Sequence, residues 1–110
     1  MSIKQSIQEL IDRFNVKVDE DEGLRHELKG LRKRVQIDLC QEKYYFVLDD
    51  CKVHSFSEGS IDSPDVVIVS DPATMEGLIS RRIRPMKALA MRKLKLRGDI
   101  EDLIKLRKFF

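Results

Sequence analysis

The apolar residues of this chain repeat with two different periods, and the change near Val35 restricts it to folds that combine helices with a sheet. Ile3, Ile7, Leu10, Ile11 and Phe14 recur at three- and four-residue steps, and Ser2 followed by Gln5 supplies a capping box. This predicts an amphipathic helix over residues 3–14. The acidic stretch Asp19-Glu20-Asp21-Glu22 reads as a loop and helix start, favoured at the positive end of a helix dipole. Leu24, Leu28 and Leu31 then give a second, shorter helix ending near Gly30. From Val35 the period is two. Val35, Ile37 and Leu39 alternate with Gln36, Asp38 and Cys40, a polar turn at Gln41-Glu42-Lys43 follows, and Tyr44, Phe46 and Leu48 return. The expectation is a β-hairpin with one wet face.

A third strand is expected around Lys52 to Phe56, a loop over Gly59 to Pro64, and a strand from Val66 to Ser70 that is central and covered on both faces. Asp71-Pro72 marks a helix start with Asp71 as N-cap and Pro72 at the first helical position. Met75, Leu78, Ile79 and Ile83 form its apolar face, and Pro85 opens another short helix carrying Met86, Leu89 and Ala90. Lys93-Leu94-Lys95-Leu96-Arg97 is the cleanest alternation in the chain, a strand with one apolar and one basic face that Gly98-Asp99 ends. Asp99 caps a final helix bearing Ile100, Leu103, Ile104, Leu106, Phe109 and Phe110. The class is α+β.

At 110 residues the chain is long enough for one core and too short for two, so residues 1–110 are expected to form a single domain, with residues 1–22 as N-terminal helix and linker. Charged residues make up 36% of it, which must lie on the surface, yet 21 basic against 19 acidic residues leave a net charge of only +2. Overall charge therefore singles out neither nucleic acid nor membrane as a partner. The N-terminus mixes charges with apolar residues and has no signal-peptide core, so a cytoplasmic location is expected. In that compartment Cys40 and Cys51 read as free thiols, a disulfide between them being the minor alternative.

No residue pattern announces catalysis. The only histidines are His26 and His54, and there is no nucleophile elbow, phosphate-cradling glycine loop or metal-spaced Cys/His cluster. Cys51 and His54 lie three apart on one strand, where side chains point to opposite faces, so they do not read as nucleophile and base. The expectation is a protein that is not an enzyme and needs no cofactor or metal. Two features stand out instead. Between Gly77 and Gly98 there are eight basic residues (Arg81, Arg82, Arg84, Lys87, Arg92, Lys93, Lys95, Arg97) and no acidic one. The segment has no aromatic residue for base stacking, which argues against nucleic acid as a partner and leaves an anionic membrane surface or a plain solvated face. The second feature is the apolar content of the C-terminal third, which holds three of the four methionines. Such a face fills a core or adapts to an apolar ligand.

The segment PMKALAMRKLKLRGDIEDLIKLRKFF, from Pro85 to Phe110, resembles the C-terminal signature of the sterol carrier protein type 2 family: a proline-led short helix, a K-L-K-[IVL]-x-G-[DN] strand and a closing apolar helix. Pro64-Asp65-Val66 to Ser70 and Asp71 to Ile83 are similar to that family's fourth strand and following helix, and Tyr44 stands where the family often has Trp. The resemblance covers roughly Leu24 to Phe110. Arg81 and Arg92 depart from it, standing where glycines are common, so differing turns are expected there.

This resemblance implies a five-stranded, mostly antiparallel sheet with helices packed on one face, enclosing an apolar tunnel for a sterol-like, fatty acyl or isoprenoid lipid. The expected lining is Met75, Leu78, Ile79, Ile83, Met86, Leu89, Met91, Leu103, Ile104, Phe109 and Phe110. Arg92, Lys93, Lys95 and Arg97 are expected to dock headgroups or a transient anionic membrane surface. At about 24 cal/mol per Å³, an empty void of ~300 Å³ would forfeit roughly 7 kcal/mol, comparable with a domain's whole stability of about 5–15 kcal/mol. The interior is therefore either occupied by lipid or filled by its own side chains. The filled case gives the alternative function, an interaction or homodimerisation module of the same fold.

Overall fold

The computed structural model describes residues 2–101. The first helix, α1 (Ile3–Glu20), begins at the expected box: the Gln5 backbone N–H donates to Ser2 Oγ at 3.2 Å and the Ser2 N–H to Gln5 Oε1 at 3.1 Å. It continues past the expected end at Phe14 because Val18, one turn further on, extends the apolar face and is completely buried. Helix α2 (Glu22–Leu28) starts from Asp21, whose carboxylate accepts from the Leu24 N–H at 3.0 Å. Its Arg25 guanidinium donates back to the carbonyls of Val18 (2.9 Å) and Asp19 (2.6 Å), which α1 leaves without helical partners.

Strands β1 (Arg32–Leu39), β2 (Glu42–Asp49) and β3 (Lys52–Glu58) form an antiparallel meander. The β2–β3 turn has positive φ at both Asp50 and Cys51 (43° and 79°), the twist that two-residue hairpins favour. The chain then crosses the sheet, and β4 (Val66–Val69) runs parallel to β1 on its other side. After two helices, α3 (Pro72–Ile79) and α4 (Pro85–Ala90), strand β5 (Lys95–Gly98) pairs antiparallel with β4. The order β3-β2-β1-β4-β5 makes this a mostly antiparallel five-stranded sheet with one parallel pair. The class and strand number are those expected.

The register puts Val35, Ile37, Tyr44, Phe46, Val66, Ile68 and Leu96 on one face. Helices α1 and α3 cover it: Ile7, Ile11, Ile37, Leu39, Tyr44 and Met75 form one buried cluster, and Val18, Leu24, Leu28 and Leu48 a second around the α1–α2 corner. Two expectations need correction. The hairpin's second face is not uniformly wet, since Gln36 is 7% exposed. Its Nε2 donates to the carbonyls of Tyr44 (2.9 Å) and Gly59 (3.0 Å), and its Oε1 accepts from the Ile61 N–H (2.9 Å), so the β3–β4 crossover lies over it. Strand β4 is not the centre of the sheet; β1 is, and only Val66 of β4 is fully buried while Val67, Ile68 and Val69 are half-buried. The crossover that shields β1 does not cover all of its neighbour.

The expected final helix beyond Asp99 lies outside the described residues. Both cysteines are free thiols, and Cys51 Sγ is 3.4 Å from the Arg25 carbonyl oxygen, engaged with α2 and not with His54.

Candidate functional site

The expected lining residues enter the fold through α3, which Asp71 fixes in place. Asp71 Oδ1 accepts from the Thr74 N–H at 2.7 Å and Oδ2 from the Thr74 hydroxyl at 2.8 Å. These bonds, the backbone one foremost, hold the Asp71 carboxyl below its ordinary value against the opposing effect of desolvation, and Lys93 adds a smaller pull the same way. A second tie joins α3 to α1, where the Ser6 hydroxyl donates to Glu76 Oε1 at 2.8 Å. So anchored, α3 buries Met75 among Ile7, Ile11 and the sheet, with Ile79 packed against that cluster.

The chain leaves α3 through a tight turn in which Ile83 folds back onto Gly77, its N–H donating to the Gly77 carbonyl at 3.0 Å. A Cβ at Gly77 would lie 2.3 Å from Ile83 Cδ1, so the turn is close-packed. Helix α4 follows, anchored by Ala88, which is 1% exposed and whose carbonyl accepts from the N–H groups of both Lys93 and Leu94. Ser70 Oγ donates to the Lys93 carbonyl at 2.8 Å and joins this turn to the end of β4.

Of the expected lining, then, Met75 is in the core, Leu78, Ile79, Ile83 and Leu89 are half-buried, and Met86 and Met91 are 57% and 54% exposed. The structure brings Met75 and Ile79 into one cluster and leaves Met86 and Met91 outside it. Leu103, Ile104, Phe109 and Phe110 lie outside the described residues. The expected docking residues Arg92, Lys93, Lys95 and Arg97 are all exposed. Lys95 and Arg97 share the outer sheet face with Val69 and Val67, while Leu96 turns inward, giving the two-faced strand expected; Arg92 and Lys93 lie in the turn before it. Arg81 and Arg92, which stand where glycines were expected, both adopt left-handed backbone, with φ of 64° and 61°.

Three features escaped the sequence reading. Asp65 ties the β1, β4 and β5 ends together: its carboxylate accepts from the Arg34 N–H at 2.7 Å and its carbonyl from the Asp99 N–H at 2.9 Å. Gly98 (φ 91°) packs so closely there that a Cβ would sit 2.2 Å from the Asp65 carbonyl oxygen. At the opposite end of the sheet an open groove of about 540 Å³ is lined by Gln41, Glu42, Lys43, Tyr44, Glu58 and Gly59. Tyr44 stacks on Phe56 with ring centroids 5.8 Å apart, and its hydroxyl donates to Glu42 Oε2 at 3.1 Å. Burial, followed by that hydrogen bond and the nearby carboxylates, raises its pKa above the ordinary phenol value. Among the described residues no cluster of three or more His, Cys, Asp and Glu side chains is placed to hold a metal ion, and no helix is long and apolar enough to cross a membrane.

Comparison with known proteins agrees with this architecture. The first solved structure in the comparison, the sec-alkylsulfatase Pisa1 from Pseudomonas sp., is 17% identical with a TM-score of 0.60, and the match covers 74% of this chain and 13% of that one. This chain thus spans a small part of that enzyme. Sterol Carrier Protein 2 Like 2 from Aedes aegypti is 22% identical with a TM-score of 0.64, over 99% of this chain and 100% of that one. A palmitated form of the same protein is 24% identical with a TM-score of 0.62, over 99% and 94%. A UbiJ-SCP2 ubiquinone synthesis protein is 16% identical with a TM-score of 0.63, over 92% and 82%. No curated protein sequence matches. The model of the SCP-2 sterol transfer family matches residues 9–110, nearly the whole chain. This chain belongs to the SCP-2 sterol transfer family.

Proposed function

We propose that this chain is a non-catalytic lipid-binding and transfer domain, taking a fatty acyl, sterol-like or isoprenoid ligand against the apolar residues of the α3–α4 segment. The observation that carries the reading is the graded burial of that segment, from Met75 in the core, through half-buried Leu78, Ile79, Ile83 and Leu89, to exposed Met86 and Met91. An apolar series running from interior to surface suits a ligand that enters from a membrane or another carrier, and unbranched methionines adapt to ligands of variable shape. Leu103, Ile104, Phe109 and Phe110 complete the proposed lining, and Arg92, Lys93, Lys95 and Arg97 face the anionic headgroup. Family membership and the palmitated relative support a lipid as the ligand.

Titration of the purified chain with a fluorescent fatty acid tests this. Saturable binding that unlabelled palmitate displaces is expected, and a linear, non-displaceable signal rejects it. A second reading, an interaction module or homodimer with a filled core, draws on the tight packing of Met75 at 7% exposure among Ile7, Ile11 and Ile37. It expects no displaceable fatty-acid binding.

A further inference from the structure

Helix α4 combines three properties that the fold alone does not require. Its only buried residue is Ala88, and at 100° per residue Met86 lies roughly 200° round the helix from it, on the outward side. Met91 follows at the C-cap, and both side chains are more than half exposed. The flanking turns carry Arg81 and Arg92 in left-handed backbone, a conformation glycine adopts freely and a long side chain does not. At both positions glycine would serve the turn better, so what the arginines add is charge. Arg81 and Arg92, with the equally exposed Arg84 and Lys87, form no ion pair with a carboxylate of the described residues, and residues 78–97 contain no acidic side chain.

We propose that α4 and its two flanking turns form a docking element for anionic lipid surfaces, in which Met86 and Met91 enter the interfacial region while Arg81, Arg84, Lys87 and Arg92 face lipid phosphates. Exposed apolar residues interspersed with cations are the composition that binds such a surface, combining apolar burial with headgroup attraction. Nucleic acid fits worse, because the element offers cations but no aromatic residue on which a base could stack. The inference rests on the carrier reading for its purpose and adds to it the element, the residues and the surface. A ligand could then pass from the bilayer toward Ile83 and Met75 without crossing water.

The chain has no tryptophan, so a single one reports its own surroundings. Met86→Trp is expected to shift its emission to the blue on phosphatidylcholine vesicles containing phosphatidylglycerol, and not on phosphatidylcholine alone. The double variant Arg81→Gly/Arg92→Gly relieves two strained turns while removing two charges. Its melting temperature should hold or rise, and its partition onto the anionic vesicles should fall about five-fold per charge, on the order of 25-fold together. Unchanged vesicle binding by the double variant overturns the proposal. So does a blue shift from Leu10→Trp on the exposed side of α1 with none from Met86→Trp, or stronger binding to single-stranded RNA than to the vesicles. Vesicle docking that behaves as expected in a chain that takes up no fatty acid upholds the docking element and removes the carrier reading.

Discussion

Gln36 does more for this fold than its place in an alternating strand suggests. Its amide satisfies two carbonyls and one N–H of the crossover and the neighbouring strand, all through one side chain that is 7% exposed. Leucine there would remove all three bonds, at about 1–3 kcal/mol for each backbone group left buried and unpaired. Gln36→Leu should therefore lose about 3 kcal/mol in urea unfolding, with faster hydrogen exchange at Ile61; a loss under about 0.5 kcal/mol would show that the crossover does not depend on the amide. Asp71 gives a pH-dependent counterpart. Its folded-state pKa is depressed, so the ionised cap contributes stability above the unfolded value of about 3.9, and this is lost as pH falls through the folded value. The Asp71→Asn variant should trail the parent in stability at about pH 6 and draw level near pH 2, as equilibrium unfolding at each pH would reveal. Tyr44 acts at the alkaline end. With its folded pKa raised, stability is full below about pH 10 and declines as pH rises through the folded value. The late phenolate absorbance should vanish in Tyr44→Phe.

At the scale of elements, β5 shows why a short exposed strand forms at all. Lys95–Gly98 keeps its place because Gly98 lets the backbone approach Asp65 more closely than a Cβ allows, and because the Asp99 N–H bonds the Asp65 carbonyl. Gly98→Ala adds left-handed strain to a backbone collision, and a loss of about 3 kcal/mol or more is expected in thermal or urea unfolding. Near-parent stability would mean that β5 shifts without cost. The elements legible in the sequence are those that local chemistry specifies: the Ser2–Gln5 box, the Asp71-Pro72 helix start, and the alternation of β1, β2 and β5. What long-range packing decides was not legible. Helix α1 runs on to Glu20 because the α2 corner buries Val18, and Asn15 near its end bonds both backbone groups of Val53 on edge strand β3 (3.1 and 2.9 Å). The candidate site divides the same way. Helical spacing predicted the apolar faces of α3 and α4, but the outward turn of Met86 follows from Ala88 being the anchor, which no spacing states.

Across the whole molecule, the sheet and its α1–α3 cover form a packed unit, and the described apolar residues proposed for function belong to α3, α4 and the turns that follow them. The two clusters between helices and sheet include Met75, Tyr44 and Leu48, whereas the half-buried and exposed apolar residues of α3 and α4 lie in the same segment as the cations of residues 81–97. Membership of the SCP-2 sterol transfer family supports the proposed carrier role. The most direct measurement is mass spectrometry of an organic extract of the purified chain, run beside the same chain after delipidation and re-exposure to lipid vesicles. The account predicts an acyl, sterol-like or isoprenoid lipid in near-stoichiometric amount, removed by delipidation and regained from the vesicles. No lipid in either extract would contradict it.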